Sequence, residues 1–188
     1  MSKYYNYLMV VTKNTDINEL EIRVNNVNLK DIIELHEQTF GYDKNFTRQK
    51  INQYRGDYHA IIVSAHDLTS NKLAGYHIST SLTHAKDDIP HKSEVLLTLP
   101  DRIEKILYLH YAGISPEFRR QGLWLKLFQK TLDEAKSFKY THFMGFFKED
   151  SSYHGIKKMM GEPLSEYPAD GIEQGVNYHR LTYPISNS

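Results

Sequence analysis

The sequence predicts an α+β domain in three layers, a sheet flanked by helices. Apolar and polar residues alternate over Leu20–Val24 as in a half-buried strand, and apolar residues recur at helical spacing from Leu29 to Phe40. The densely apolar stretch Ile106–Ser115 is followed, after a short basic turn, by a second helical stripe. At 188 residues the chain fits one domain spanning 1–188, with residues 1–18 as an N-terminal extension or an extra strand.

Each element has a local cause. Asn28 caps the first helix, in which Leu29, Ile32, Ile33, Leu35, His36 and Phe40 share a stripe, and Gly41 stops it. A polar helix is expected over Thr47–Tyr54. Tyr58–Ala65 and Leu73–Leu82 are β-rich and flank the turn-like Thr69-Ser70-Asn71, which makes an antiparallel hairpin. Thr83–Arg102 breaks the pattern, with Asp87, Asp88, Pro90 and Pro100 scattered through it, and reads either as a functional lid or as a solvated insertion. His84, Asp87, Asp88 and His91 within it lack the rigid support that metal ligands need, so they read as a solvated charge cluster and no metal is expected.

Ile106–Ser115 is apolar on both parities, as a central strand covered on two faces would be, and Pro116 ends it. The helix after Gly122 buries Leu125, Phe128, Leu132 and Ala135. Thr141–Phe147 is another strand, a helix follows within Asp150–Glu162, a loop runs through Pro163 and Pro168, and Asn177–Pro184 alternates as a closing strand.

Composition narrows the function. Lys plus Arg number 23 and Asp plus Glu number 23, so no net field draws the chain to nucleic acid or to an anionic membrane. Any anion site must be local. The absence of cysteine removes a disulfide framework, a Cys nucleophile and a thiolate metal site, and accords with a cytoplasmic location. The apolar run Leu8–Val11 is too short for a signal-peptide core, and no run of about 18 apolar residues occurs to cross a bilayer.

The turn Glu117-Phe118-Arg119-Arg120-Gln121-Gly122 carries the chemistry. Arg119 and Arg120 stand at the positive end of a helix dipole, where a cation costs about 0.3–1 kcal/mol. A phosphate or pyrophosphate on the amides of the first helical turn relieves that cost, with Gly122 letting the backbone approach closely. The alternative is that both arginines reach into solvent or pair with Glu117.

Ala112-Gly113-Ile114-Ser115-Pro116-Glu117-Phe118-Arg119-Arg120-Gln121-Gly122-Leu123 resembles the acyl-CoA signature of the GNAT acetyltransferase superfamily, and the likeness extends over Leu20–Pro184. The resemblance implies a mixed, mostly antiparallel sheet that splays beside Ile106–Ser115 to admit the pantetheine arm of CoA. It implies that backbone groups of Ala112 and Ile114, flanking Gly113, pair with that arm. The pyrophosphate is then cradled by the main chain from Arg120 through Gln121, Gly122, Leu123 and Trp124 to Leu125, with Arg119 fixing the turn. Trp124 departs from the family's small residue here, and its side chain is expected to join the core stripe.

The implied reaction is transfer of an acetyl group from acetyl-CoA to an amine of a small molecule or peptide. Such an amine is protonated at neutral pH, so a base must take its proton and an oxyanion must be stabilised. His110 is the candidate base, since it shares a strand face with Tyr108, Ala112 and Ile114 and some arylalkylamine acetyltransferases carry histidines at similar spacing; the alternative is a core histidine. The tyrosine that serves the family as acid is replaced by Lys157, and Tyr153 or His154 is the substitute. A catalytically silent CoA-binding or sensor module, and a scaffold retaining only the fold, are the other readings. Homodimers are common in the family.

Overall fold

The computed structural model describes residues 9–11, 20–41, 44–54, 57, 59–85, 89–90, 92–99, 103–149, 151–169, 172 and 176–185. In chain order the elements are β1 (Met9–Val11), β2 (Leu20–Val24), α1 (Leu29–Phe40), α2 (Lys44–Asn52), β3 (Ile61–Asp67), β4 (Leu73–Ser81), α3 (Leu82–Ala85), α4 (Lys92–Leu97), β5 (Ile106–Ile114), α5 (Leu123–Ser137), β6 (His142–Lys148), α6 (Ser151–Met160), β7 (Ser165–Pro168) and β8 (Tyr178–Pro184). The strands follow one another by hydrogen bonding in the order β1-β2-β3-β4-β5-β6-β8-β7. The sheet is mixed: β5 and β6 are parallel, while the β1–β2, β2–β3, β6–β8 and β7–β8 pairs are antiparallel. β1 lies within residues 1–18 and pairs with β2 from Met9↔Ile22 to Val11↔Leu20.

The chain forms two compact units, residues 1–78 with 111–131, and residues 79–110 with 132–188. In the first, α1 begins where Asn28 Oδ1 accepts from the Lys30 amide at 3.1 Å and ends at Gly41, whose left-handed φ of 68° lets its amide reach the Glu37 carbonyl at 2.8 Å. Ile32, Ile33 and Leu35 of α1 and Ile51 of α2 pack with Tyr76 and Ile78 of β4. Successive β4 residues face opposite ways. Gly75 therefore looks the other way from Tyr76, and a β-carbon on it would stand 3.2 Å from Leu127 Cδ1 of α5. Helices thus cover both faces of this part of the sheet.

The buried stripe of α5 is Leu123, Leu127, Phe128, Thr131, Leu132 and Ala135, whereas Leu125, expected in the stripe, is half-buried. The basic turn starts the helix at Leu123, and that start sets the rotation of the stripe.

In the second unit the segment expected as a lid or solvated insertion carries α3 and α4. Ser81 Oγ accepts from the His84 amide at 3.3 Å to cap α3. Leu82, Ala85, Ile89 and Val95 are buried with Ile106, Tyr108 and Met144, so this stretch builds core and is no solvated insertion. Asp87, Asp88 and His91 lie outside the described residues. The loop expected through Pro163 and Pro168 contains β7, paired from Ser165↔Thr182 to Pro168↔His179 on β8. Among the described residues, no helix is long and apolar enough to cross a membrane.

Candidate functional site

The strand β5 supplies one wall of the site with its own backbone. Its parallel ladder with β6 runs from Ile106↔His142 to Leu109↔Gly145, and β5 then continues through His110 to Ile114. On the β4 side it remains anchored to its end, where the Ser115 amide donates to the Ala74 carbonyl at 2.9 Å. The β5 edge over Tyr111, Ala112, Gly113 and Ile114 lies past the last rung of that ladder, and an extended ligand can pair there as an added strand does.

Pro116 stops the strand, and Pro116–Phe118 makes one 3₁₀ turn. Ser115 Oγ donates to Glu117 Oε2, and this bond holds the Glu117 carboxyl below its ordinary range. Arg119 Nε folds back to the Ile114 carbonyl at 3.1 Å, tying the turn to the strand end, and Gln121 Nε2 donates to the Glu117 carbonyl at 2.9 Å. Arg120 has a left-handed φ of 61° and Gly122 one of 73°. The first is strained for a residue with a side chain, and such strain persists where the surroundings enforce it.

Gly122 opens α5, because its carbonyl accepts the first helical bond, from the Lys126 amide at 3.2 Å. The amides of Leu123, Trp124 and Leu125 therefore have no acceptor within the helix. A β-carbon on Gly122 would meet nothing within 4 Å. Arg119 and Arg120 are exposed beside it. Helix-start amides, the positive end of a 15-residue helix and two guanidinium groups are together the chemistry that can hold phosphate oxygens.

The Trp124 side chain packs along α5. Its ring stacks on Phe128 with centroids 5.3 Å apart and planes at 12°, and it meets His77 edge-on at 5.4 Å. His77 is buried, which lowers its pKa to about 3, and its Nδ1 lies 3.4 Å from Thr131 Oγ1.

His110 is half-buried on β5, one residue past the end of the parallel ladder, with its ring 5.2 Å from that of Tyr108. Tyr153 sits in a different setting. Its hydroxyl donates to Glu166 Oε1 at 2.6 Å, and that bond raises its pKa. Glu166 also accepts from Lys157 Nζ at 3.0 Å and stands 3.2 Å from His179 Nδ1. The Tyr153 bond comes first among the causes that lower the Glu166 carboxyl, and Glu166 in turn raises the Lys157 ammonium. Sequence reasoning missed Glu166, because β7 is four residues long and shows no period, and it placed His179 in the closing strand without its partner, which stands on β7. It also missed the hydrogen bond between His36 Nδ1 and the Tyr76 hydroxyl, since 40 residues separate the two.

No family model matches the sequence, and no curated protein matches it. Solved structures do match. An N-acetyltransferase from Staphylococcus aureus Mu50 superposes with a TM-score of 0.64 at 10% identity, covering 88% of this chain and 99% of that one. A protein from Desulfovibrio desulfuricans, assigned as an acetyltransferase of the GNAT family, gives 0.59 at 11% identity, over 89% and 99%. The protein yncA of Salmonella typhimurium, assigned as an acetyltransferase and solved with its cofactor acetyl-CoA, gives 0.60 at 12% identity, over 89% and 95%. The chain has the GNAT acetyltransferase fold.

Proposed function

We propose that the protein is a cytoplasmic acyl-CoA-dependent N-acyltransferase that moves an acetyl group from acetyl-CoA to an amine of a small molecule or peptide. The observation that carries this reading is the start of α5 at Gly122, with exposed Arg119 and Arg120 just before it, one turn away from a β5 edge that runs past its ladder. A pyrophosphate and an amide-bearing arm joined in one molecule suit those two features in sequence. The fold shared with acetyltransferases accords with it.

The residues fit such a donor by their own chemistry. Leu123, Trp124 and Leu125 amides bind phosphate oxygens, Arg119 holds the turn and adds charge, Arg120 and Gln121 shape it, and Gly122 leaves the room. Backbone groups of Ala112 and Ile114 orient the arm along β5, with Gly113 between them. A bound acyl-CoA supplies an activated acyl group as a thioester. Acyl transfer forms an amide C–N bond and breaks the thioester C–S bond, and a protonated amine gives up two protons on the way, the first to free its lone pair and the second, from the tetrahedral adduct, matched by the proton that the released CoA thiol carries away. His110, next to that edge, takes the first of them. A thiol ionises near pH 8.5, so the departing sulfur needs little help from an acid. The Tyr153 hydroxyl, donated to Glu166, is an anchor in the α6–β7–β8 cluster.

A second reading, a CoA-binding sensor without turnover, is favoured by that same bond, which ties up the hydroxyl nominated as the acid. Release of free thiol from acetyl-CoA across a panel of primary amines and peptides separates the two. Amine-dependent release supports the enzyme. Acetyl-CoA binding without release under any acceptor supports the sensor.

A further inference from the structure

Two glycines on adjoining strands are each filled by a side chain from the other strand. A β-carbon on Gly113 of β5 would stand 2.6 Å from Tyr76 Cε1, 3.1 Å from its Cζ and 3.2 Å from its hydroxyl. A β-carbon on Gly75 of β4 would stand 2.6 Å from Ile114 Cδ1 and 3.1 Å from the Gly113 carbonyl oxygen. Residues 75 and 76 face opposite ways, as do 113 and 114. Tyr76 therefore crosses to β5 on one face of the sheet, and Ile114 crosses to β4 on the other.

The Tyr76 ring is itself pinned. It is fully buried, and its hydroxyl is hydrogen-bonded to His36 Nδ1 at 2.5 Å. His36 is packed between Phe40, at 4.6 Å between ring centroids, and the edge of Tyr111, at 4.8 Å. Burial lowers the His36 pKa to about 4 and raises that of Tyr76, so the pair is uncharged at neutral pH and the bond does not switch there. A neutral, buried, hydrogen-bonded aromatic peg has one position available, because cores are close-packed and off-rotamer shifts are costly.

We infer that Tyr76, held by His36, is a positioning residue that sets the orientation of the Ala112–Ile114 backbone for an acyl donor, through its contact with Gly113 and the reciprocal seating of Ile114 on Gly75. This rests on the donor lying along β5, as proposed above. Tyr76 touches neither donor nor acceptor in this account. It acts by holding the β5 backbone from the face opposite to Ala112 and Ile114, where a misplacement of about 1 Å can cost on the order of a hundredfold.

The test compares wild type, Gly113→Ala, Tyr76→Phe and the double variant Gly113→Ala/Tyr76→Leu. Circular dichroism reports folding, and calorimetric titration with acetyl-CoA reports donor affinity. Gly113→Ala drives a methyl into the Tyr76 ring and is expected to weaken acetyl-CoA binding by roughly ten- to a hundredfold. Removing the ring edge in the double variant is expected to recover at least part of that loss, a coupling that independent sites do not show. Tyr76→Phe keeps the volume and drops the bond, and is expected to weaken the donor several-fold while leaving KM for the amine unchanged. A folded Gly113→Ala with wild-type affinity, or a loss that the double variant does not recover, overturns the inference. If Gly113→Ala does not fold, Tyr76→Phe decides: unchanged donor affinity overturns it. Wild type that does not bind acetyl-CoA at all overturns the donor reading beneath it.

Discussion

Leu109 and Gly145 form the last rung of the parallel β5–β6 ladder, and Leu109 Cβ lies 3.2 Å from the place a β-carbon on Gly145 would take. The same β-carbon would stand 2.8 Å from Phe147 Cζ, a buried ring. Substituting Gly145→Ala is therefore an overpacking change at the rung where the ladder stops. A loss of about 1–3 kcal/mol is expected, read as a lowered Tm or denaturant midpoint. Unchanged stability would mean that Phe147 moves aside freely.

Gly122 differs, because its substitution meets open space and a left-handed φ of 73°. Gly122→Ala is expected to cost only about 1–2 kcal/mol of stability, from the backbone conformation alone. Its effect on ligand should be larger, since the proposed phosphate needs a bare backbone at Gly122. Acetyl-CoA affinity is expected to fall at least roughly tenfold, a change worth about 1.4 kcal/mol. Titration of the folded variant checks this.

His110 and Tyr153 should separate cleanly in kinetics. His110→Ala is expected to lower kcat by about two to four orders of magnitude, the usual contribution of a general base, with acetyl-CoA affinity unchanged. Tyr153→Phe removes the bond to Glu166 and should lower Tm while leaving kcat near wild type. A large fall in kcat for Tyr153→Phe, with Tm unchanged, would make it the acid after all.

Stability should depend on pH through the buried histidines His36, His66 and His77, all lowered by burial. Burial lowers His36 to about 4 and His77 to about 3, against about 6.5 in the unfolded chain. Between those values the unfolded chain binds more protons than the folded one. The stability of the neutral, buried forms is thus complete above about pH 6.5 and is lost as pH falls toward 4 and then 3. At pH 5 the loss is of order 2 kcal/mol for each of His36 and His77. Tm measured from pH 7 to pH 5 should fall, and His77→Leu should reduce that fall.

What could be read without coordinates was local. The Asn28 cap, the Gly41 stop, the Pro116 stop and the strand–turn–helix unit follow from residue chemistry within a few positions. α3 and α4 escaped because helices of four and six residues are too short to show a period, although Leu82, Ala85 and Val95 are buried. Leu125 was placed in the α5 stripe because the spacing alone admits more than one rotation of the helix. Where the β5–β6 ladder stops depends on tertiary pairing, as does the meeting of Tyr76 with Gly113. The turn before α5 was legible as a motif, but the left-handed backbone of Arg120 was not.

The most direct measurement is calorimetric titration of the wild-type protein with acetyl-CoA and, separately, with S-acetylpantetheine, which carries the arm and the thioester but no pyrophosphate. A pyrophosphate held at the start of α5 predicts measurable binding of acetyl-CoA and binding at least roughly tenfold weaker for S-acetylpantetheine, the loss of charge-assisted bonds to the amides and arginines. Equal affinities, or no binding of acetyl-CoA, would contradict the cradle and with it the account of this site.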